Sequence, residues 1–309
     1  MRARLTPFQR LAVATTAITY VLILVGGLVR ASGAGLGCPD WPRCFGSFVP
    51  PMSAAELPPE FDASQFNPTL MWTEYLNRLL GVTVGFFILA ATVSAWRHHR
   101  RDPHIFRPTL AALLLTGYQG WLGGRVVAHE LAPWVVTAHM LVALVIVSLL
   151  LYATVYAFFA RDGGVSHPDV PRRTASRLGA ALILVTLVQV AAGTQVRGGI
   201  DDALTAGTAR PEALAAVGFV DLVHRDLSLV VLGGALILLL IVWTKHAAER
   251  PLVLATNAVA ALVGAQLAIG LVLAYLALPP AAQVAHLTLA ALLLGAETVV
   301  VLLAWWLPD

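Results

Sequence analysis

Charge is scarce in this chain. Asp, Glu, Lys and Arg make up 12% of its 309 residues, against 58% hydrophobic residues and a mean hydropathy of +0.79. Soluble domains carry about twice that share of charge, so the composition excludes a water-soluble fold and places the chain in lipid. Cysteine is scarcer still: Cys38 and Cys44 are the only two, so at most one disulfide can form within the chain. The net charge of +3 is too small to signal nucleic-acid binding, and the distribution of basic residues instead carries topology.

What is abundant is long apolar runs. Eight of them, near residues 11–30, 72–96, 108–127, 133–160, 175–196, 218–243, 251–277 and 283–307, approach the ~20 residues that cross a hydrocarbon core as helix. The first follows Arg2, Arg4 and Arg10, is long for a signal segment and lacks an obvious cleavage site, so it is expected to remain as helix one. Arg10, Arg97, Arg100, Arg101, Arg107, Arg161, Arg172, Arg173, Arg177, Lys245 and Arg250 fall on the same side as the N-terminus. The positive-inside rule then puts both termini in the cytoplasm of a cell-membrane protein.

The polar residues inside these runs repeat. His139 recurs as His286, Asn77 as His224, Arg78 as Arg225, Glu74 as Asp221, Gln119 as Gln266 and Gly123 as Gly270, always 147 residues apart. That offset predicts an all-α integral membrane protein of two tandem, pseudo-symmetric four-helix bundles, spanning residues 1–165 and 166–309. The outer loops break the symmetry. A long proline-rich segment from Cys38 to Pro68 reads as an irregular lid, and its second-half counterpart, residues 198–217, is shorter and has no cysteine. Cys38 and Cys44 lie on the oxidising side under this topology, where a disulfide is expected. It is either a staple that rigidifies the lid or a redox-active dithiol, and the spacing favours the staple.

Three of the nine histidines lie inside helices, at similar depth below the outer surface: His139, His224 and His286. An ionisable residue inside a span is costly unless it faces a partner or a cavity. A single one would read as a hydrogen bond to a neighbouring helix. A matched pair from two facing helices can instead clamp a haem iron, and His224 and His286 fit that role in the second half. Arg78 and Arg225, with Arg30 and Arg197 at the ends of helices one and five, could hold haem propionates bidentately. They could equally anchor helix ends or pair with Glu74 and Asp221, one turn away. Each of these acids projects on the same face as Asn77 or His224, and Glu74, in the half without a second histidine, is the better candidate to take a proton. Glu297 stands outside the repeat, opposite Leu150, and is expected to face the bundle.

GGLVRASGAGLGCPDWPRC, EYLNR, GYQGWLGG, AHMLVAL, VHRDL and AHLTLAALL, in this order and duplication, resemble the haem A synthase family over essentially the whole chain. The resemblance implies an eight-helix membrane enzyme that oxidises a ring methyl of haem O to the formyl of haem A for haem-copper terminal oxidases. By position it implies a bis-histidine haem b at His224 and His286, haem O or haem A in the first half beside His139 and Glu74, and a Cys38–Cys44 lid disulfide. Haem O synthase and oxidase assembly factors are the partners it suggests. It leaves the electron acceptor unnamed and is compatible with a homo-oligomer. One departure stands out: the family pattern E-x-x-H-R is here Glu74, Tyr75, Leu76, Asn77, Arg78. Asparagine is a poor iron ligand, so the first-half haem is expected to have His139 alone and an open or water-filled sixth position. Either the substrate exchanges more easily there, or oxygen or water is activated there, or the site has lost catalysis, with His129 a remote substitute ligand. A dihaem b-type cytochrome that relays electrons and a haem carrier remain the rival classes.

Overall fold

The computed structural model describes residues 5–159 and 170–306. These form eight long helices: α1 (Pro7–Ala31), α2 (Pro68–His99), α3 (Pro103–Ala128), α4 (Pro133–Phe159), α5 (Val170–Thr205), α6 (Phe219–Lys245), α7 (Arg250–Tyr275) and α8 (Pro280–Trp306). Proline sets the starts. Pro7, Pro68, Pro103, Pro133 and Pro280 each occupy a first helical position, where the missing N–H has no intrahelical partner to lose and the ring pre-sets φ. Thr6 and Gln9 form a capping box before α1, and Asn67 and Asp102 accept first-turn N–H groups of α2 and α3.

Seven of the eight helices are long and apolar enough to cross a membrane. The exception is α3, expected as a span, whose apolar stretch is diluted by Arg107, Thr109, Thr116, Gln119, Arg125 and four glycines. It packs between α2 and α4 all the same. Phe86, Leu114, Leu184 and Leu254 are exposed on the helix surfaces, an outward apolar face suited to lipid, and the chain is a multi-pass membrane protein.

Each half closes into a ring. α1 packs on α2, α2 on α3, α3 on α4 and α4 back on α1, and α5 to α8 repeat that order. The repeat extends to backbone detail. The turns before α4 and α8 place Glu130 and Leu131, and 147 residues later Ala277 and Leu278, at φ of 49°, 62°, 54° and 57°. Left-handed conformation in non-glycine residues is costly, so its recurrence at equivalent positions marks one supersecondary unit used twice. The boundary expected at residues 165 and 166 lies outside the described residues.

The halves join through α1 and α4 on one side and α5 and α8 on the other. Ile23, Leu144, Val147, Ala291 and Leu294 form the apolar seam, and Ser148 and Thr298 meet across it at 3.4 Å. α8 is the most buried span. Its Glu297 is fully buried, as expected, and accepts a hydrogen bond from Thr186 of α5 at 2.9 Å.

Packing at the seam is close enough to test. A Cβ on Gly295 of α8 would run into the Tyr20 hydroxyl of α1 and come within 3.2 Å of the Leu151 side chain of α4, whereas one on Gly264 of α7 would meet nothing within 4 Å. Gly295→Leu should therefore lower the stability of the detergent-solubilised protein by about 1–3 kcal/mol through overpacking. Gly264→Leu should leave the thermal midpoint close to wild type in the same melting experiment.

Candidate functional site

The in-helix histidines share one local construction. On the helix preceding each is a glutamine followed four residues later by glycine: Gln119 and Gly123 before His139, Gln189 and Gly193 before His224, Gln266 and Gly270 before His286. The glutamine Nε2 donates to the backbone carbonyl of the histidine, at 2.9, 2.8 and 2.9 Å. One turn along, the glycine makes room for the imidazole. A Cβ there would lie 3.6, 2.9 and 3.9 Å from the histidine Cε1 of His139, His224 and His286. The 147-residue offset exposed two of these pairs; Gln189 escaped it because its half-one equivalent is absent. The recurring Gln-x3-Gly spacing was the signal available for all three.

In the second half, His224 and His286 face each other from α6 and α8 with ring centroids 6.3 Å apart and planes at 68°. His224 Nδ1 lies 3.2 Å from the Gln189 carbonyl oxygen. A carbonyl can only accept, so Nδ1 carries the hydrogen and Nε2 keeps its lone pair. His286 Nδ1 is buried without a partner.

In the first half only His139 has the full construction. At the α1–α2 corner the corresponding residues are Leu22 and Gly26, with nothing within 4 Å of a Cβ on Gly26, and Asn77 Oδ1 is buried without a partner. The glutamine and the histidine are missing together. His129 stays at the end of α3, bonded to the Arg125 carbonyl at 2.9 Å and packed edge-on against Trp134.

The lid closes over the N-terminal end of α2. Cys38 and Cys44 are disulfide-bonded and buried beside Phe45 and Met71, which fits a staple. Gly37 lets the chain press on α2, where a Cβ would lie 2.8 Å from the Met71 nitrogen, and Trp41 fills the space above Gly124 of α3. Glu74, buried, accepts the Cys38 N–H at 2.8 Å on one oxygen and the Arg78 guanidinium on the other. Arg78 also donates to the carbonyls of Asp40 (2.7 Å), Arg43 (2.8 Å) and Cys38 (3.3 Å). All five of its N–H groups are thus taken, and a free clamp for a propionate, as the sequence suggested, is not what Arg78 presents. Asp221 and Arg225 form the equivalent pair at 2.7 Å, and Arg225 remains half-exposed.

Arg30 and Arg197 also have an acid that the sequence did not reveal. Both pair with Asp201 near the end of α5, Arg197 at 2.9 Å, and Arg197 Nη1 donates to Gln283 at 2.9 Å. Arg30 thereby ties α1 to α5 across the seam. The Nε of each arginine is buried without a partner, so each keeps one donor for a further acceptor.

These residues fit a haem better than a bare metal ion. No group of three or more His, Cys, Asp or Glu able to hold a metal occurs among the described residues. A porphyrin supplies its own four nitrogens and asks the protein only for axial ligands. With a metal–nitrogen bond of about 2 Å to each ring, two opposed imidazole centroids fall roughly 6 Å apart, close to the observed pair. A separate cavity of about 540 Å³, lined by His104, Arg107, Pro108 and Tyr152 among others, lies at the opposite end of α3 from Gln119 and is no part of this site.

The sequence profile of the cytochrome oxidase assembly protein family matches residues 9–298. The chain belongs to that family. Among curated members, it is 34% identical over 141 residues to a protein named heme A synthase from Shewanella oneidensis, covering 44% of this chain and 42% of that one. It is 30% identical over 154 residues to heme A synthase of Geobacillus kaustophilus, covering 50% and 44%. A longer match, 28% over 316 residues, spans 89% of this chain and 84% of heme A synthase from Sinorhizobium medicae. The first two matches thus span less than half of those relatives' own length.

With both sulfurs bonded and buried, a maleimide should label no thiol in the native protein. Two should appear after denaturation with reductant, by intact mass. A native free thiol would contradict the lid described here.

Proposed function

We propose that this chain performs haem A synthesis, oxidising the ring methyl of a haem O substrate to the formyl of haem A for haem-copper terminal oxidases. The observation that carries this is the inequality of two otherwise equivalent pockets. One presents paired imidazoles 6.3 Å apart; the other presents His139 and Asn77 with Glu74 beneath a disulfide-stapled lid. A site with imidazoles on both sides suits a resident cofactor, and a site with one imidazole suits a substrate that enters and leaves.

In the second half, His224 and His286 hold a resident haem b, which when bound supplies one-electron redox capacity. The Gln189 carbonyl fixes the tautomer of His224, so that Nε2 keeps its lone pair. Arg225, with its exposed guanidinium, and the free Nε groups of Arg30 and Arg197 receive carboxylates of the bound haems. In the first half, His139 holds the substrate from one side, and Asn77, too weak a donor to replace an imidazole, leaves the other side open. The lid excludes water. Glu74 lies one turn outward of Asn77 on the same helix face, where its carboxylate is placed to take up protons as an external electron acceptor oxidises the methyl, with water supplying the oxygen atom. The membrane is the cell membrane, with both termini cytoplasmic and the pockets toward the outer face.

Haem extracted from the purified protein should separate into haem B together with haem O or haem A. Haem B alone would favour the electron relay. His224→Ala and His286→Ala should each abolish the low-spin bis-histidine spectrum, and an unchanged spectrum in both would remove the second-half assignment.

Glu74→Gln should keep both haems bound while lowering formyl formation by about 100-fold or more, with Asp221→Asn milder. The Glu74 bond to the Cys38 N–H favours a second reading, in which Glu74 only anchors the lid. Proteolysis of the lid separates the two, since anchoring alone would make the Gln variant lose lid protection along with activity.

A further inference from the structure

The three glutamines that clasp histidine helices each keep a second polar atom in reserve. Nε2 is the atom on the histidine carbonyl, because only an N–H can donate there. The other terminus of Gln119, Gln189 and Gln266 is therefore Oε1, and all three Oε1 atoms are buried without a donor. Buried acceptors in a hydrocarbon setting are expensive to leave open.

The histidines show the complementary gap. Nδ1 of His139 and Nδ1 of His286 are buried without a partner, whereas Nδ1 of His224 already has the Gln189 backbone carbonyl at 3.2 Å. In His139 and His286, the Cε1 edge next to Nδ1 is turned toward the glycine one turn from the glutamine, at 3.6 and 3.9 Å from a Cβ built there. A buried acceptor and a buried donor thus belong to residues already bonded to each other, twice, at equivalent places in the two halves.

We infer that Gln119 and Gln266 are positioning residues for iron ligation: in the haem-loaded protein Gln119 Oε1 accepts the Nδ1–H of His139, and Gln266 Oε1 that of His286. This rests on the haem assignment made above. Iron-ligating imidazoles generally donate their second N–H to an acceptor, which fixes the ring and raises its basicity. One glutamine would then do two things with one side chain, holding the histidine's backbone by its amide nitrogen and its ring by its amide oxygen. His224 needs no such oxygen, and Gln189 serves it as a backbone clasp alone. The bis-histidine pair is thus itself asymmetric, with one ligand backed by a main-chain carbonyl and the other by a side-chain amide.

The test is the midpoint potential and low-spin electron paramagnetic resonance spectrum of the second-half haem in purified, haem-loaded protein. Gln266→Leu removes the acceptor and should shift the potential upward, because a less basic imidazole stabilises ferric iron less. Gln266→Glu supplies a stronger acceptor and should shift it downward. Gln189→Leu loses the same kind of backbone clasp but should leave potential and g values near wild type, and Gln189→Glu should shift the potential less than Gln266→Glu. Equal shifts at 189 and 266, or shifts of one sign in both Gln266 variants, would overturn the inference and leave the glutamines as helix clasps. If Gln266→Leu does not fold, the comparison of Gln266→Glu with Gln189→Glu decides alone. Loss of the haem assignment reads differently: His286→Ala would then retain the wild-type low-spin spectrum.

Discussion

Hydrocarbon offers a buried polar group no alternative to a protein partner, and that constraint organises this molecule. Each in-helix histidine arrives with a glutamine on the preceding helix that holds its backbone, so the polar residues placed for chemistry also fix helix against helix. Arg78 and Glu74 do the same for the lid, Arg30 and Asp201 for the seam between halves, and Thr186 for the buried carboxyl of Glu297. The apolar residues fill and face lipid. The polar ones decide which helices meet, and where.

Duplication explains why the structure has two rings of four helices with histidines at equivalent places, and divergence explains why the two differ. The helix rings, the left-handed turns before α4 and α8 and the glutamine clasps have stayed alike. The α1–α2 corner differs from the α5–α6 corner in three respects: no glutamine at Leu22, no histidine at Asn77, and a stapled lid over the same helix end. A corner that no longer needs to hold a ligand imidazole does not need its clasp.

Much of this was legible in the sequence. Scarce charge and eight apolar runs gave the all-α membrane class, and the fixed offset of His139 and His286 gave the tandem halves, because composition and periodicity respond directly to solvent and helix pitch. The in-helix histidines, the Glu74–Arg78 and Asp221–Arg225 pairs and the fully buried Glu297 follow from local helical spacing. α3, read as a span from residues 108–127, is helical and packed between α2 and α4, but it is not among the seven helices apolar enough to cross a membrane.

What the tertiary structure alone decided is which partner each polar side chain takes. The capture of Arg78 by the lid carbonyls, the bridging of Arg30 and Arg197 through Asp201 and the clasp of Gln189 on α6 all join residues far apart in sequence. A linear pattern can state that a buried arginine or glutamine must be satisfied. It cannot say by whom, because the choice among several acceptors within reach depends on how the two helix rings pack side by side.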